Sequence, residues 1–237
     1  MENTFSQSIP NLNTHLNFGN FDPTNLDVEE VVNVTMLGDI SGSMDEHKDE
    51  LNETVKGCIN DMQNFSQAPK IYLAQGSFGS DIHVLTGYQQ INNVTAPVLN
   101  PNEGSTKLYE ACHEFLKNML TQQEKAMQAG ILTKNIFFVI TDGADNSSKP
   151  GSAKAVHDLI DYIKHNEALR GSFYSFLVGI GSPSIFENAQ QEMGLHELHT
   201  IDANMAPDQK KAAFKKVFGI LSASVKSAST KKGPLVI

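Results

Sequence analysis

The chain has 237 residues, 40% of them hydrophobic, with two cysteines and a formal net charge of −9 at pH 7. That composition suits one domain of generous size, or one domain with tails, with enough apolar residues for a large core. The acidic balance argues against a general attraction to nucleic acid, and no apolar run approaches the ~20 residues that a membrane helix needs.

In chain order, residues 1–28 are rich in Asn and poor in periodic apolar positions, and read as an extended arm. Its start, MENTFSQSIPNLN, has neither a basic head nor an apolar centre, so a secretory leader is not expected and a cytosolic protein is. Phe5, Ile9, Leu12, Leu16, Phe18 and Phe21 are scattered along the arm, and packing on the chain's own domain is the simpler reading for them. Residues 31–37, VVNVTML, predict a buried strand of a parallel sheet that breaks at Gly38. A helix follows over 45–65, with Leu51, Val55, Cys58, Ile59, Met62 and Phe65 on one face. Asp45, Glu46, Asp49 and Glu50 fall in its first two turns, where acids suit the helix dipole. Residues 71–78 predict a second strand and 81–85 a short third one, joined tightly enough at Gly79-Ser80 for an antiparallel hairpin. His83 on that strand reads as a surface or packed histidine.

A long loop, 88–105, leads to Thr106 and a helix over 107–130, for which Thr106 is also a plausible N-cap. Residues 135–141 predict a central strand, 152–168 a helix, 173–180 a strand, 184–193 a short helix and 198–201 a last strand. A final helix starts at Pro207 and reaches about Ser229. The domain is drawn at 29–225, with residues 226–237 as a C-terminal tail. Cys58 and Cys112 each fall on an apolar helix face, which predicts buried free thiols. The one His-rich stretch, HELH at 196–199, lacks the H-E-x-x-H spacing of a zinc helix.

The chemistry concentrates at three points. Asp39, Ser41 and Ser43 follow the first strand and should stand at its carboxyl end, where open α/β sheets bind ligands. One carboxylate and two hydroxyls on five residues make half a shell for a hard cation, which prefers oxygen ligands. Gly104-Ser105-Thr106 opens the second long helix, and Asp142-Gly143 ends the strongly apolar strand IFFVIT. Asp142-Gly143-Ala144-Asp145-Asn146 does not have the spacing of an EF-hand loop.

Asp-x-Ser-x-Ser after a hydrophobic strand resembles the first motif of von Willebrand factor A (VWA) domains, where it belongs to a metal-ion-dependent adhesion site. Thr106 in its Gly-containing loop and Asp142 after a central strand resemble the second and third parts, in the right order. The resemblance spans about residues 30–225. It implies an α/β, doubly wound, Rossmann-like fold with a mostly parallel sheet of order 3-2-1-4-5-6, strand three antiparallel, and helices on both faces. It also implies Mg²⁺ or Mn²⁺ held directly by Ser41, Ser43 and Thr106, with Asp39 and Asp142 acting partly through water. A cation held mainly by neutral hydroxyls keeps much of its charge, so it would take an Asp or Glu of a partner protein as its last ligand. That mechanism needs no catalytic group. A hydrolase would need a general base, for which Asp145 or His157 could be named without support from spacing.

Within the VWA class, Leu198-His199-Thr200-Ile201-Asp202, Phe214 and Ser222-Ala223-Ser224-Val225 resemble the TerY-like proteins of bacterial tellurite resistance and stress. The Asn-rich arm departs from that pattern. An adaptor of an AAA+ ATPase and an assembly component binding through its terminal arms stay open as alternatives.

Overall fold

The computed structural model describes residues 11–19, 21–26, 28–169 and 171–230. Six strands form one sheet in the order β3-β2-β1-β4-β5-β6. These are β1 (Glu30–Asp39), β2 (Ile71–Phe78), β3 (Ile82–Gln90), β4 (Leu132–Thr141), β5 (Phe173–Ile180) and β6 (Glu197–Ile201). β3 runs antiparallel to β2, and every other neighbouring pair is parallel. The fold class and strand order expected from the sequence are the ones observed.

Alternation along the central strands decides which helices cover which face. In β1, Val32, Val34 and Met36 join a core with Leu51, Val55, Cys58, Ile59 and Met62 of α1 (Lys48–Gln63) and Phe214, Phe218 and Leu221 of α5 (Pro207–Thr230). Leu37 of β1 and Phe137 and Val139 of β4 face the other way. There they meet α2 (Leu108–Gln128), α3 (Ser152–His165) and α4 (Pro183–Met193). The sheet is thus buried on both sides, which is why β1 and β4 read as near-continuous apolar runs. Two polar pairs inside it meet across strands: the amide of Asn33 donates to Asn135 at 3.3 Å, and the hydroxyls of Thr35 and Tyr88 lie 2.6 Å apart. Gly76 is required by packing, because a Cβ there would come within 2.1 Å of the Phe115 ring.

Several boundaries differ from the sequence reading. β3 continues to Gln90, since 86–90 still pair with β2 after register shifts at Leu73/Gln75 and Gln75/Gly76. The loop into α2 is correspondingly shorter. Gly42–His47 form 3-10 turns, so α1 starts at Lys48 and Asp45 and Glu46 precede it. α3 stops at His165 and α5 reaches Thr230 with Ala228 buried, beyond the drawn domain edge at 225. The rest of the tail, 231–237, lies outside the described residues, as do Phe5 and Ile9.

The described part of the N-terminal arm packs on its own domain. Phe18 is buried edge-on against Phe115 at 4.8 Å, and Phe21 leans on Tyr72 and Tyr88. Leu12 and Leu16 pack on the α2 side of the core, and the Thr14 hydroxyl donates to Glu114. Phe18 crosses so close to β3 that a Cβ on Gly87 would meet its carbonyl oxygen at 1.8 Å. Cys58 and Cys112 are free and buried on opposite faces of the sheet. Among the described residues no helix is long and apolar enough to cross a membrane.

The HELH stretch serves the sheet edge. His196 stacks on Tyr174 at 4.9 Å with its Nδ1 2.8 Å from Ser175 Oγ, and His199 lies 3.1 Å from Glu197. Burial, assisted by Lys164, lowers the His196 pKa from 6.5 to about 4. The unfolded chain therefore binds more protons than the folded one in that window, and this group's contribution to stability is lost as pH falls from 6.5 towards 4. Urea unfolding across that range should show a steeper acid loss for the wild type than for His196→Asn. Parallel profiles would contradict the assignment.

Candidate metal centre

Asp39 is the last residue of β1, and its carboxylate is fully buried at the seam with β4. Ser41 N donates to Asp39 Oδ1 at 2.7 Å and Thr141 Oγ1 donates to Asp39 Oδ2 at 2.6 Å. Both oxygens are thus held by the protein, and the carboxylate is fixed in orientation. Ser43 Oγ donates to Asp142 Oδ1 at 2.8 Å and lies 3.2 Å from Ser41 Oγ. Asp142 follows directly on β4, so β1 and β4, neighbours in the sheet, bring two carboxylates and two hydroxyls to one crevice. Ser41 is buried, whereas Ser43 is exposed and Asp142 partly so, which makes their side the open one.

Thr106 arrives from the loop before α2. Its backbone is clamped to the turn after β4: Thr106 N donates to Asn146 Oδ1 at 2.8 Å and Asn146 N donates to Thr106 O at 3.1 Å. A side chain on Gly143 would begin 4.0 Å from Thr106 Oγ1, so the threonine hydroxyl stands beside the Asp142-Gly143 turn. Thr106 is only 3% exposed, and its hydroxyl has no hydrogen-bond partner among the described residues. The helix-capping role expected of it is filled from elsewhere. Lys107 occupies the cap position without a side-chain bond, while Asp145 accepts from Tyr109 N at 3.0 Å and Ser148 Oγ accepts from Glu110 N at 3.0 Å. This cap comes from a segment 36 residues away, which no local pattern could reveal.

The electrostatics of the crevice are one-sided. Burial raises the pKa of Asp39, and the charge of Glu103 adds to the effect. Burial pushes Asp142 up to about 6, with repulsion from Asp39 and Glu46 in the same direction. Neither carboxylate forms an ion pair among the described residues. A buried and a half-buried acid without a cationic partner among the described residues, together with the unbonded hydroxyl of Thr106, are a donor set that fits a hard divalent cation. No group of three or more His, Cys, Asp or Glu among the described residues is placed to hold a metal; the crevice offers hydroxyls beside its two carboxylates.

The sequence did not single out the platform beneath the Thr106 loop. Gly42 N donates to Glu103 O at 2.7 Å, which ties that loop to the Ser41–Ser43 segment. Glu103 itself is held by the β2–β3 turn: Oε2 accepts from Asp81 N at 2.9 Å, and Oε1 lies 2.6 Å from His83 Nε2. Lys107 N donates to Gly79 O at 3.0 Å and Gly104 N donates to Ser80 Oγ at 3.2 Å. Gly79 allows this contact, because a Cβ there would come within 2.6 Å of Glu103 Oε2. Gly79→Ala should therefore shift the Thr106 loop and weaken divalent-ion affinity by roughly tenfold, as loss of a supporting contact does. Isothermal titration with Mn²⁺ reads this. Wild-type affinity in the variant would show that the turn does not position the loop.

No protein-family model matches the sequence, and no curated protein sequence matches it. Solved structures do resemble the fold. A von Willebrand factor type A protein from Catenulispora acidiphila superposes with a TM-score of 0.55 at 17% identity, over 84% of this chain and 43% of that one. The PilB minor pilin from Streptococcus sanguinis gives 0.54 at 13% identity, over 85% of this chain and 62% of that one. Proximal thread matrix protein 1 from the mussel byssus gives 0.54 at 13% identity, over 85% and 48%. This chain thus spans less than two thirds of the length of each of them. At such identities the likeness concerns the fold, and the fold of this chain is that of a von Willebrand factor A domain.

Proposed function

We propose that the chain is a protein-binding module that works through a divalent cation, Mg²⁺ or Mn²⁺. Ser41, Ser43 and Thr106 would hold the ion, with Asp39 and Asp142 behind them. When bound, the ion supplies a Lewis-acidic position whose charge is only partly neutralised, suited to an Asp or Glu carboxylate of a partner protein. The chain's own residues do the rest. Asp39, locked by Ser41 N and Thr141 Oγ1, sets the position of the Ser41–Ser43 segment. Asn146 and Glu103 hold the Thr106 loop against it. Ser43 and Asp142 leave the open side free for a partner. The observation that carries this reading is the convergence of three distant segments on a buried and a half-buried acid that have no cationic partner among the described residues, beside Thr106, whose hydroxyl makes no hydrogen bond there.

A hydrolytic reading has little support. The oxygens of Asp145 accept from Tyr109 N, Ser148 N and Ser148 Oγ, and His157 lies on α3 beside Gly194 and Asp161. Neither is a base aimed at the crevice. Within the binding class, we further propose a cytosolic setting, supported by two reduced thiols that stand on opposite faces of the sheet. A bacterial stress complex of the tellurite-resistance kind rests only on sequence resemblance around 198–202, Phe214 and 222–225. Phe214 and Val225 are core residues and Ser222 meets Cys58, so packing already explains them. An assembly role through the arm is weakened by the docking of Phe18 and Phe21 on this same domain.

Affinity capture from a native lysate tests the reading, using wild type and Asp39→Ala, each with Mg²⁺ and with chelator. A partner retained by wild type with Mg²⁺ alone is expected, and its identity decides between a stress complex and an ATPase adaptor. In parallel, Asp39→Ala and Asp142→Ala should each lower Mn²⁺ affinity at least roughly tenfold; the metal-free unfolding midpoint should change little in Asp142→Ala, whereas Asp39→Ala also leaves Ser41 N and Thr141 Oγ1 without their acceptor. Unchanged affinity in both variants would refute the metal assignment.

A further inference from the structure

One buried polar contact joins the first turn of α5 to the segment that leads into α1. Lys210 stands in that turn, its amide donating to Ala206 O at 2.9 Å, and His47 closes the 3-10 segment Gly42–His47 directly before α1. Lys210 Nζ lies 3.2 Å from His47 Nδ1. The two residues are 8% and 2% exposed, and Met44, Leu51 and Phe214, each within a turn of one of them in sequence, belong to the core without exposed surface. Lys210 forms no ion pair with a carboxylate among the described residues. Lys211, next on α5, pairs with Glu53 at 2.8 Å instead.

An ammonium has only donors to offer, so His47 Nδ1 must accept. That puts the imidazole's one proton on Nε2 and leaves the ring neutral. A second proton would go to Nδ1, turn the acceptor into a donor and set two cations face to face away from water, which is costly. The charges that act on His47 are Lys210 from α5, Glu46 from its own segment and Glu50 from the first turn of α1. The two glutamates favour a charged ring. Burial, the largest effect, and Lys210 after it oppose one, so the His47 pKa is lowered from 6.5. We propose that the Lys210–His47 contact is a proton-operated catch: with neutral His47 it fastens the first turn of α5 to the Gly42–His47 segment, and acid releases the two from each other. Opening exposes His47 to water, where it takes a proton at its ordinary pKa, while the closed joint resists that proton. Opening therefore becomes more favourable as pH falls below 6.5. The catch goes beyond the metal-dependent reading and needs no bound ion. Because the Gly42–His47 segment carries Ser43, its release would loosen one wall of the crevice in acid.

The test is amide hydrogen exchange on the full chain in chelator, so that its outcome is independent of the metal reading. Protection of the amides of residues 208–214 is compared between about pH 7.5 and about pH 5.5, after correction for the intrinsic pH dependence of exchange. One proton taken up on opening should lower that protection roughly tenfold in the wild type. His47→Gln keeps an acceptor for Lys210 but cannot titrate, so its protection should change little over the same interval. His196 is common to both proteins and cancels in the comparison. Equal pH dependence in wild type and variant overturns the proposal. A second measurement needs no variant: NMR of the wild-type imidazoles should find His47 neutral at pH 7, protonated on Nε2 and titrating below 6.5. A His47 ring protonated on Nδ1 at that pH, or one that titrates at or above 6.5, overturns it as well.

Discussion

Asp39 is a charge-bearing group sealed where two central strands meet, and much of the molecule serves to keep it there. Burying a carboxylate is costly unless its oxygens are bonded and its charge is answered. The bonds come from the Ser41 amide and the Thr141 hydroxyl, one on each strand's end. No charge answers it within the described residues. Asp142, beside it, is pushed up to about 6 by the same burial and by Asp39 itself. A fold that holds two acids in this state has kept an electrostatic cost that a cation would relieve. The loops around the crevice are built to hold the remaining oxygens within reach.

Much of this was legible in the sequence because the signals were local. Nine consecutive residues of β1 are buried, which is why 31–37 read as a central strand, and Asp39, Ser41 and Ser43 followed directly from where that strand ends. Asp142 was legible for the same reason at the end of β4. What escaped was non-local. Thr106 resembled an N-cap by position, yet α2 is capped by Asp145 and Ser148 from the far side of β4. The 86–90 half of β3 has little apolar alternation because it lies at the sheet edge, and only pairing with β2 makes it a strand. Glu103 lies in a loop where no motif singles it out. Its role emerges only when Gly42, Asp81 and His83 surround it.

The arrangement also separates support from contact. The β2–β3 turn and Glu103 meet the crevice from one side and fix the loop that carries Thr106. α5 and α1 support β1 and β4 from the opposite face of the sheet. The N-terminal arm closes the β2–β3 end over Phe115 and Tyr88. Ser43 is exposed at the crevice, while Asp39 and Thr141, which orient the segment that carries it, are buried.

The most direct measurement is a crystal structure of the full chain grown with Mn²⁺, with anomalous data collected at the manganese edge. The account predicts one strong anomalous peak in the crevice, within coordination distance of the Ser41, Ser43 and Thr106 hydroxyls, with the two aspartates behind it. An ordered crevice with no peak, with Thr106 Oγ1 turned away from Asp142, would contradict it.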